Sequence, residues 1–406
     1  MSNYRLWQTE WKDIKEPVSI DLPDSWDVEY REFDADSMPK LTESELLEAI
    51  RRPIGGRTLR EIALEGHEAA IVFDDLSRGT KVGEIAEVVL RELESAGITK
   101  EHVRFICALG THAPHTRAHF VAKLGARIVE NYPVYNHNCF DCLTVIGTNS
   151  HGDPVEVNSE FMKCDIKIGI GACTPHVMNG YGGGGKLFFP GIAGIRTTAP
   201  NHNRREFAFI GTREKCGMRK DIEEMTAMIG EIFKIDAILN SRNDTVALFA
   251  GDPLKEYYEA IETAYRVNSW EPLSSEKDAI VVNANVKYNE CSIAVYMVEG
   301  SVKKGGDIVM VNFCEDGQCI HYAMGAFGDN VGGPVYTPMD RRPEMKAGRI
   351  ILYTPYPDLY SATWYNEPDK VVFAKTWDEV IRLLSERGDN LSAAVVTDGS
   401  IGYFRR

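Results

Sequence analysis

The sequence predicts an α/β protein of two domains, each a mostly parallel sheet flanked by helices, with the active site in the cleft between them. Three observations lead there. The first half repeats a strand, polar cluster, helix pattern. The same alternation resumes in the last third, after a Pro/Ser/charged stretch. And 406 residues exceed what one hydrophobic core usually serves.

In chain order, AAIVF reads as a strand, DDLSRGT as its loop and KVGEIAEVVLRELESAG as an amphipathic helix stopping at Gly97, a helix-ending glycine. VRFICALG, THAPHT and RAHFVAKLGARIVENY repeat the unit, and DIKIGIG leads into ACTPHVMNGYGGGGK. Alternating strands and helices imply a parallel sheet covered on both faces, and ligands gather at the carboxyl ends of such strands, where all three polar clusters fall. After the helix LKEYYEAIETAYRV, the stretch SWEPLSSEKD marks a boundary, which assigns residues 1–272 to a first domain and 273–406 to a second that closes over the site. The second domain continues with AIVVNANV, DIVMVNFCEDG, GRIILYTPYPD, KVVFAK, the helix TWDEVIRLLSERG and AAVVTDG, a last strand able to return to the first domain.

The formal net charge of −15 argues against unspecific binding to nucleic acid or to an anionic membrane surface. It does not exclude an anionic substrate, because a few converging cations decide a local site. The opening MSNYRLWQTEWKDIKEP has no apolar h-region and no run of eighteen apolar residues follows, so a cytoplasmic location is expected. The nine cysteines mostly lie in apolar runs and read as buried free thiols. Cys139 and Cys142, with His137 just before them, form half of a zinc pattern, but no second pair stands at ligand spacing.

The densest chemical signal is PHVMNGYGGGGKLFFPGIAGIRTTAPNH, from Pro175 to His202. Four consecutive glycines, Gly182, Gly183, Gly184 and Gly185, cost backbone entropy and are expected where the backbone approaches something closely, a phosphate or nucleotide being the natural guest. GYGGGGK satisfies part of the P-loop pattern, which suggests a nucleotide-dependent phosphotransferase, but Leu187 stands where Ser or Thr should hold magnesium and Pro190 follows soon after. His112 sits directly after a strand, His115 is a second loop histidine able to join His112 or His119 on a metal, and His119 falls in the helical pattern as a structural residue. Asp75, Ser77 and Arg78 end the first strand. There Asp75 can cap the next helix and Arg78 can clamp a carboxylate or phosphate.

FDDLSRGT, LGTH, GDPVEVN, the PH…GGGGK…FPGIAG run and the terminal NH together resemble the nickel-dependent lactate racemase family, in that family's order and spacing. The resemblance spans roughly residues 20 to 260, and VKKGGDIVMVNFCEDG extends it into the second domain. It implies racemisation or epimerisation at the hydroxyl-bearing carbon of a small 2-hydroxy acid. It also implies a nickel-pincer nucleotide, pyridinium-3,5-bisthiocarboxylic acid mononucleotide nickel, attached covalently to Lys186 and loaded by cofactor-synthesis proteins. On that likeness His202 matches a nickel ligand, His112 and His176 the two catalytic bases, and Asp75 and Arg78 the pair beside them, with Ser77 and the four glycines around the cofactor. In the second domain the resemblance breaks. Where lactate-active members carry Tyr-Gln and a later Lys, this chain has Ser292, Ile293 and Tyr296, so a substrate larger than lactate is expected. A non-catalytic paralogue that binds the nickel nucleotide is a further reading, but such a binder has no use for paired histidine bases.

Overall fold

The computed structural model describes residues 1–8, 17–322, 344–365 and 367–405. It has the predicted α/β architecture, with two six-stranded sheets. In the first, the strands run Thr245–Gly251, Phe233–Leu239, Ile166–Ala172, Ala69–Asp74, Val103–Ala108 and Val134–Asn136 from edge to edge, all parallel except the first pair. The chain starts at the Ala69–Asp74 strand and moves outward on one side. It then returns to lay Ile166–Ala172 on the other side, which opens a crevice where the strand order reverses.

Why these residues form this sheet is plain in Ala69–Asp74, where every residue is buried, as strands covered on both faces require. Ala69, Ile71 and Phe73 pack with Val82, Ile85 and Val89 of the helix Val82–Ser95. Ala70 and Val72 pack instead with Phe188 and Ile222. The helix ends as predicted before Gly97, whose φ of 94° is a left-handed turn. RAHFVAKLGARIVENY, read as one helix, is two, Arg117–Leu124 and Ala126–Asn131, because Gly125 at φ 85° breaks it.

The second sheet is wholly parallel and runs Val371–Ala374, Arg349–Tyr353, Val302–Val311, Lys277–Asn283, Ser392–Val396 and Asp27–Arg31. Its order reverses beside Lys277–Asn283, so it too has a crevice at its carboxyl edge. One segment lies away from where the sequence assigned it. Asp27–Arg31, counted with the first domain, extends the second sheet, and Ser392–Val396 stays in that sheet and does not return to the first. The segment that does cross back is Tyr403–Phe404, which pairs with Ser269–Trp270. Ile71 and Phe73 of the first sheet and Ile280 and Val282 of the second belong to one continuous buried cluster, so the two sheets share a core. Among the described residues no helix is long and apolar enough to cross a membrane.

Candidate active site

The carboxyl ends of the two sheets line one cavity of about 190 Å³. Asp75 and Arg78 reach it from the first strand, His112 from the second, and His176, Gly182, Gly183 and Lys186 from the loops after Ile166–Ala172. His202 comes from the helix Ile195–Arg204, and Ser292, Ile293 and Tyr296 from the second domain. A second cavity, of about 220 Å³, lies behind the glycine loop at Gly185, Arg219 and Tyr257 and contains none of these histidines.

His112 is held by Asp75, with Nδ1 2.5 Å from Oδ2. The other Asp75 oxygen accepts from the Ser77 main chain at 3.0 Å and from the Ser77 hydroxyl. Asp75 is thus an orienter of His112 and does not cap the following helix, whose N-cap Lys81 makes no side-chain cap. Burial opposes an imidazolium at His112, but the contacts with Cys319 and Asp75 outweigh it and hold this ring well above the ordinary imidazole range. The Asp75 carboxyl is pulled low in turn; burial opposes this, but His112, His115 and Arg78 prevail.

His176 is held in the opposite way. It lies on the small hairpin Pro175–His176 and Gly180–Tyr181, and the Met178 N–H donates to its Nδ1 at 3.1 Å. Burial, then Lys186, Lys287 and Arg78, push it well below the ordinary range. The two rings are therefore biased in opposite directions, His112 toward the imidazolium and His176 toward the neutral imidazole.

Lys186 ends the glycine run, and burial, with Arg78 and Arg219 nearby, lowers its ammonium to about 7. Near neutral pH a large share of it is the free amine, the nucleophilic form. His202 is buried, and its Nδ1 donates to the Thr198 carbonyl at 3.0 Å, which puts the ring's lone pair on Nε2. Burial and Lys186 lower it to about 3, so it is a neutral imidazole of the kind that binds metal.

Gly182 and Gly183 line the cavity, but only Gly182 has room for a side chain, since an added Cβ at Gly183 would meet Asp236 Oδ2 at 2.8 Å. Gly184 (φ 56°) and Gly185 face the protein, where an added Cβ would meet the Tyr257 ring at 2.8 Å and the Thr226 hydroxyl at 2.2 Å. The close approach expected of these two is to the protein's own side chains. Gly184 N–H donates to Asp236 at 2.5 Å, and Asp236 pairs with Lys234 at 2.6 Å, both fully buried. The segment after the run is a four-residue 3₁₀ turn, Gly184–Leu187, not the helix a P-loop needs. His115 does not join a metal cluster. Its Nε2 accepts from the Leu76 N–H at 3.0 Å, and its ring packs on His119, which sits in the capping turn of the helix Arg117–Leu124. Cys139 is buried and Cys142 exposed, both as free thiols.

Among the cavity-wall residues that sequence reasoning missed are Lys287, Glu290, His321 and Trp364. Glu290 pairs with Arg78, and its other oxygen stands 3.8 Å from His112 Nε2. Arg78, expected to await an anion, is thus already engaged. The polar cluster VKYNE after the strand AIVVNANV carried the signal for Lys287 and Glu290, since it ends a strand as the first-domain clusters do. His321 had none. It reaches the site because Tyr322 N–H donates to Thr111 O at 2.7 Å and Ala113 N–H to Ile320 O at 2.9 Å, which bridges the His112 loop to the second domain. Its ring lies 4.8 Å from that of His112.

This fold, with a histidine pair, a lysine after a glycine run and a helical histidine in one cavity, defines a class that comparison with known proteins identifies. The lactate racemase N-terminal domain model matches residues 14–210. The lactate racemase of Lactiplantibacillus plantarum is 27% identical over 292 residues, 68% of each chain. That of Thermoanaerobacterium thermosaccharolyticum is 24% identical over 317 residues, 75% of this chain and 74% of its own. The fold matches the lactate racemase apoprotein of T. thermosaccharolyticum over 100% of both chains, with a TM-score of 0.76 and 19% identity. It also matches a Thermotoga maritima protein at a TM-score of 0.67 and 19% identity, over 93% of this chain and 100% of that one. Residues 14–210 belong to the lactate racemase N-terminal domain family.

Proposed function

We propose that the protein is a racemase or epimerase that inverts the hydroxyl-bearing carbon of a 2-hydroxy acid through a 2-keto acid, using a nickel-pincer nucleotide attached to Lys186. The observation that carries this is the convergence of His112, held by Asp75, and His176, held by the Met178 N–H, on one cavity with Lys186 and His202. The residues suit the group. Lys186 offers an amine, Gly182 leaves room beside it, and His202 offers Nε2 as one ligand of a metal whose other donors come with the nucleotide. When bound, the group supplies an electrophilic carbon that takes hydride from the substrate and returns it.

The protein's part is to move the hydroxyl proton and hold the acid. Removing the carbon's hydrogen as a proton would leave a carbanion beside a carboxylate. Removing it as hydride, while the hydroxyl proton passes to an imidazole, leaves a planar ketone that can be reduced on either face. One direction then needs a neutral base on one side and a charged acid on the other, and the opposed states of His176 and His112 are such a pair. After one turnover the two have exchanged roles. They are not equivalent, because proton uptake at His176 Nδ1 displaces the Met178 N–H. Ser292, Ile293 and Tyr296 replace the family's Tyr, Gln and Lys, and the Tyr296 hydroxyl turns to the Trp364 carbonyl at 3.0 Å, which favours a substrate other than lactate.

The test is the intact mass and metal content of protein isolated from its own host, beside chiral chromatography of 2-hydroxy acids incubated with it. A mass increase located at Lys186, about one nickel per chain and inversion of an acid are expected. Unmodified Lys186 in protein that still inverts an acid would overturn the reading.

A further inference from the structure

Arg78 is the cation that sequence reasoning offered to the substrate's carboxylate, yet in the structure it is bound to Glu290 and to the Ser77 hydroxyl and carbonyl. All of these contacts fall on Nη1, so a carboxylate arriving at the other face of the guanidinium would share that cation with Glu290 and lie close to a second anion, which weakens its hold. Lys287 is in a different position. It is 2% exposed and lines the same cavity, and among the described residues its ammonium has one hydrogen-bond acceptor, the Pro175 carbonyl at 3.3 Å. An ammonium has three donors, and a buried one with a single distant acceptor is poorly satisfied. Its backbone is fixed: the Lys287 N–H donates to the Ser400 hydroxyl at 3.0 Å, and Asp398 accepts from the main chains of Asn285 and Val286 at 2.9 and 2.8 Å. The second sheet thus presents a rigidly mounted, underpaired amine at its own strand-order reversal, next to the residue that precedes His176; burial and Arg78 lower its ammonium to about 7, and an arriving carboxylate would favour the charged form.

We propose that Lys287 receives the carboxylate of the substrate, taking over from the second domain the charge that the Tyr296 position no longer supplies. The proposal rests on the 2-hydroxy acid reading above and names the residue that holds such an acid. A carboxylate on Lys287 lies beside His176, so the adjacent hydroxyl-bearing carbon falls between the two imidazoles. The rest of the chain then extends toward Glu290 and Ile293. Because Glu290 is an anion, that end accepts hydroxyl donors and repels a second carboxylate.

The experiment titrates the full chain, as isolated, with glycerate and with its neutral analogue glyceramide, by calorimetry or protein-observed NMR. Wild type is expected to prefer glycerate at least tenfold. Lys287→Met removes that preference, weakening glycerate at least tenfold while glyceramide stays within twofold, and Lys287→Arg restores part of it. Thermal unfolding checks the fold, and Lys287→Gln replaces the Met variant if that one does not fold. Unchanged glycerate affinity in Lys287→Met, or a wild type with no carboxylate preference, overturns the proposal, as does a preference that vanishes in Arg78→Met alone. Chiral analysis separates the two readings. Loss of carboxylate binding in a protein that inverts no acid keeps Lys287 and sinks the racemase, whereas inversion with unchanged affinity in Lys287→Met does the reverse.

Discussion

The two sheets meet the same cavity with strand-order reversals of the same kind, but they furnish it differently. The first supplies Asp75, His112, His176 and Lys186, every one singled out in the sequence, and it braces them from behind through Ser77, Asp236 and Lys234. The second supplies Lys287, Glu290, Ser292, Ile293 and Tyr296, where the pattern is lost. The contrast teaches that the proposed proton transfer and cofactor attachment draw on one sheet and the proposed recognition of the acid on the other. A change in the second can alter which acid is taken without disturbing the first.

Perturbing the first sheet should have the largest effects. Lys186→Ala is expected to leave a folded protein with nickel at background level and no mass increase, since the lysine is a tether on a loop held by Asp236; full nickel after dialysis would break the assignment. His202→Ala should lower nickel content, whereas His112→Ala and His176→Ala should keep the metal and lose about a hundredfold or more in turnover, the usual loss when a general base is removed. Metal analysis beside turnover separates these, and loss of nickel in all three would mean a trihistidine site.

Asp75→Asn should have a smaller effect with a pH signature. Removing one partner of the buried Asp75–His112 pair costs about 3–5 kcal/mol of stability. His112 has a raised pKa in the folded protein, so the pair's contribution is fully present below the unfolded value of about 6.5 and is lost as pH rises through the folded value. The melting-temperature gap between wild type and variant should therefore be widest near pH 6 and shrink on the alkaline side. A gap that widens with pH would contradict the charged state assigned to His112.

How much of this was legible in the sequence follows the same division. Three strands of the first sheet, AAIVF, VRFICALG and DIKIGIG, could be read because each is mostly apolar and ends in a polar cluster at the crevice, whereas Phe233–Leu239, interrupted by Lys234 and Asp236, and the edge strands Thr245–Gly251 and Val134–Asn136 could not. His112, His176, Lys186 and His202 could be placed because they sit in motifs. What could not be read depends on tertiary partners. Glu290 matters through Arg78, 212 positions away, and His321 through a bridge to the His112 loop. The strand Asp27–Arg31 joins a sheet whose other members begin at Lys277, and its alternation does not name its neighbour.

The smallest predicted effect concerns the second sheet. With Ser292, Ile293 and Tyr296 in the wall, a 2-hydroxy acid with a larger side chain should be inverted about tenfold more efficiently than lactate, or about 1.4 kcal/mol in transition-state binding. A panel of acids compared by kcat/KM checks it, and lactate as the best substrate would show that these positions do not select.

The central claim, that His112 and His176 move the hydroxyl proton while the carbon's hydrogen travels as hydride, is tested most directly by running the inversion in D2O. A single enantiomer is incubated with cofactor-loaded protein, and the product is examined by mass and NMR at C2. The account predicts an inverted product that keeps its original hydrogen at C2. Solvent deuterium at that carbon, accumulating in step with inversion, would mean that the histidines abstract the carbon's proton and would contradict it.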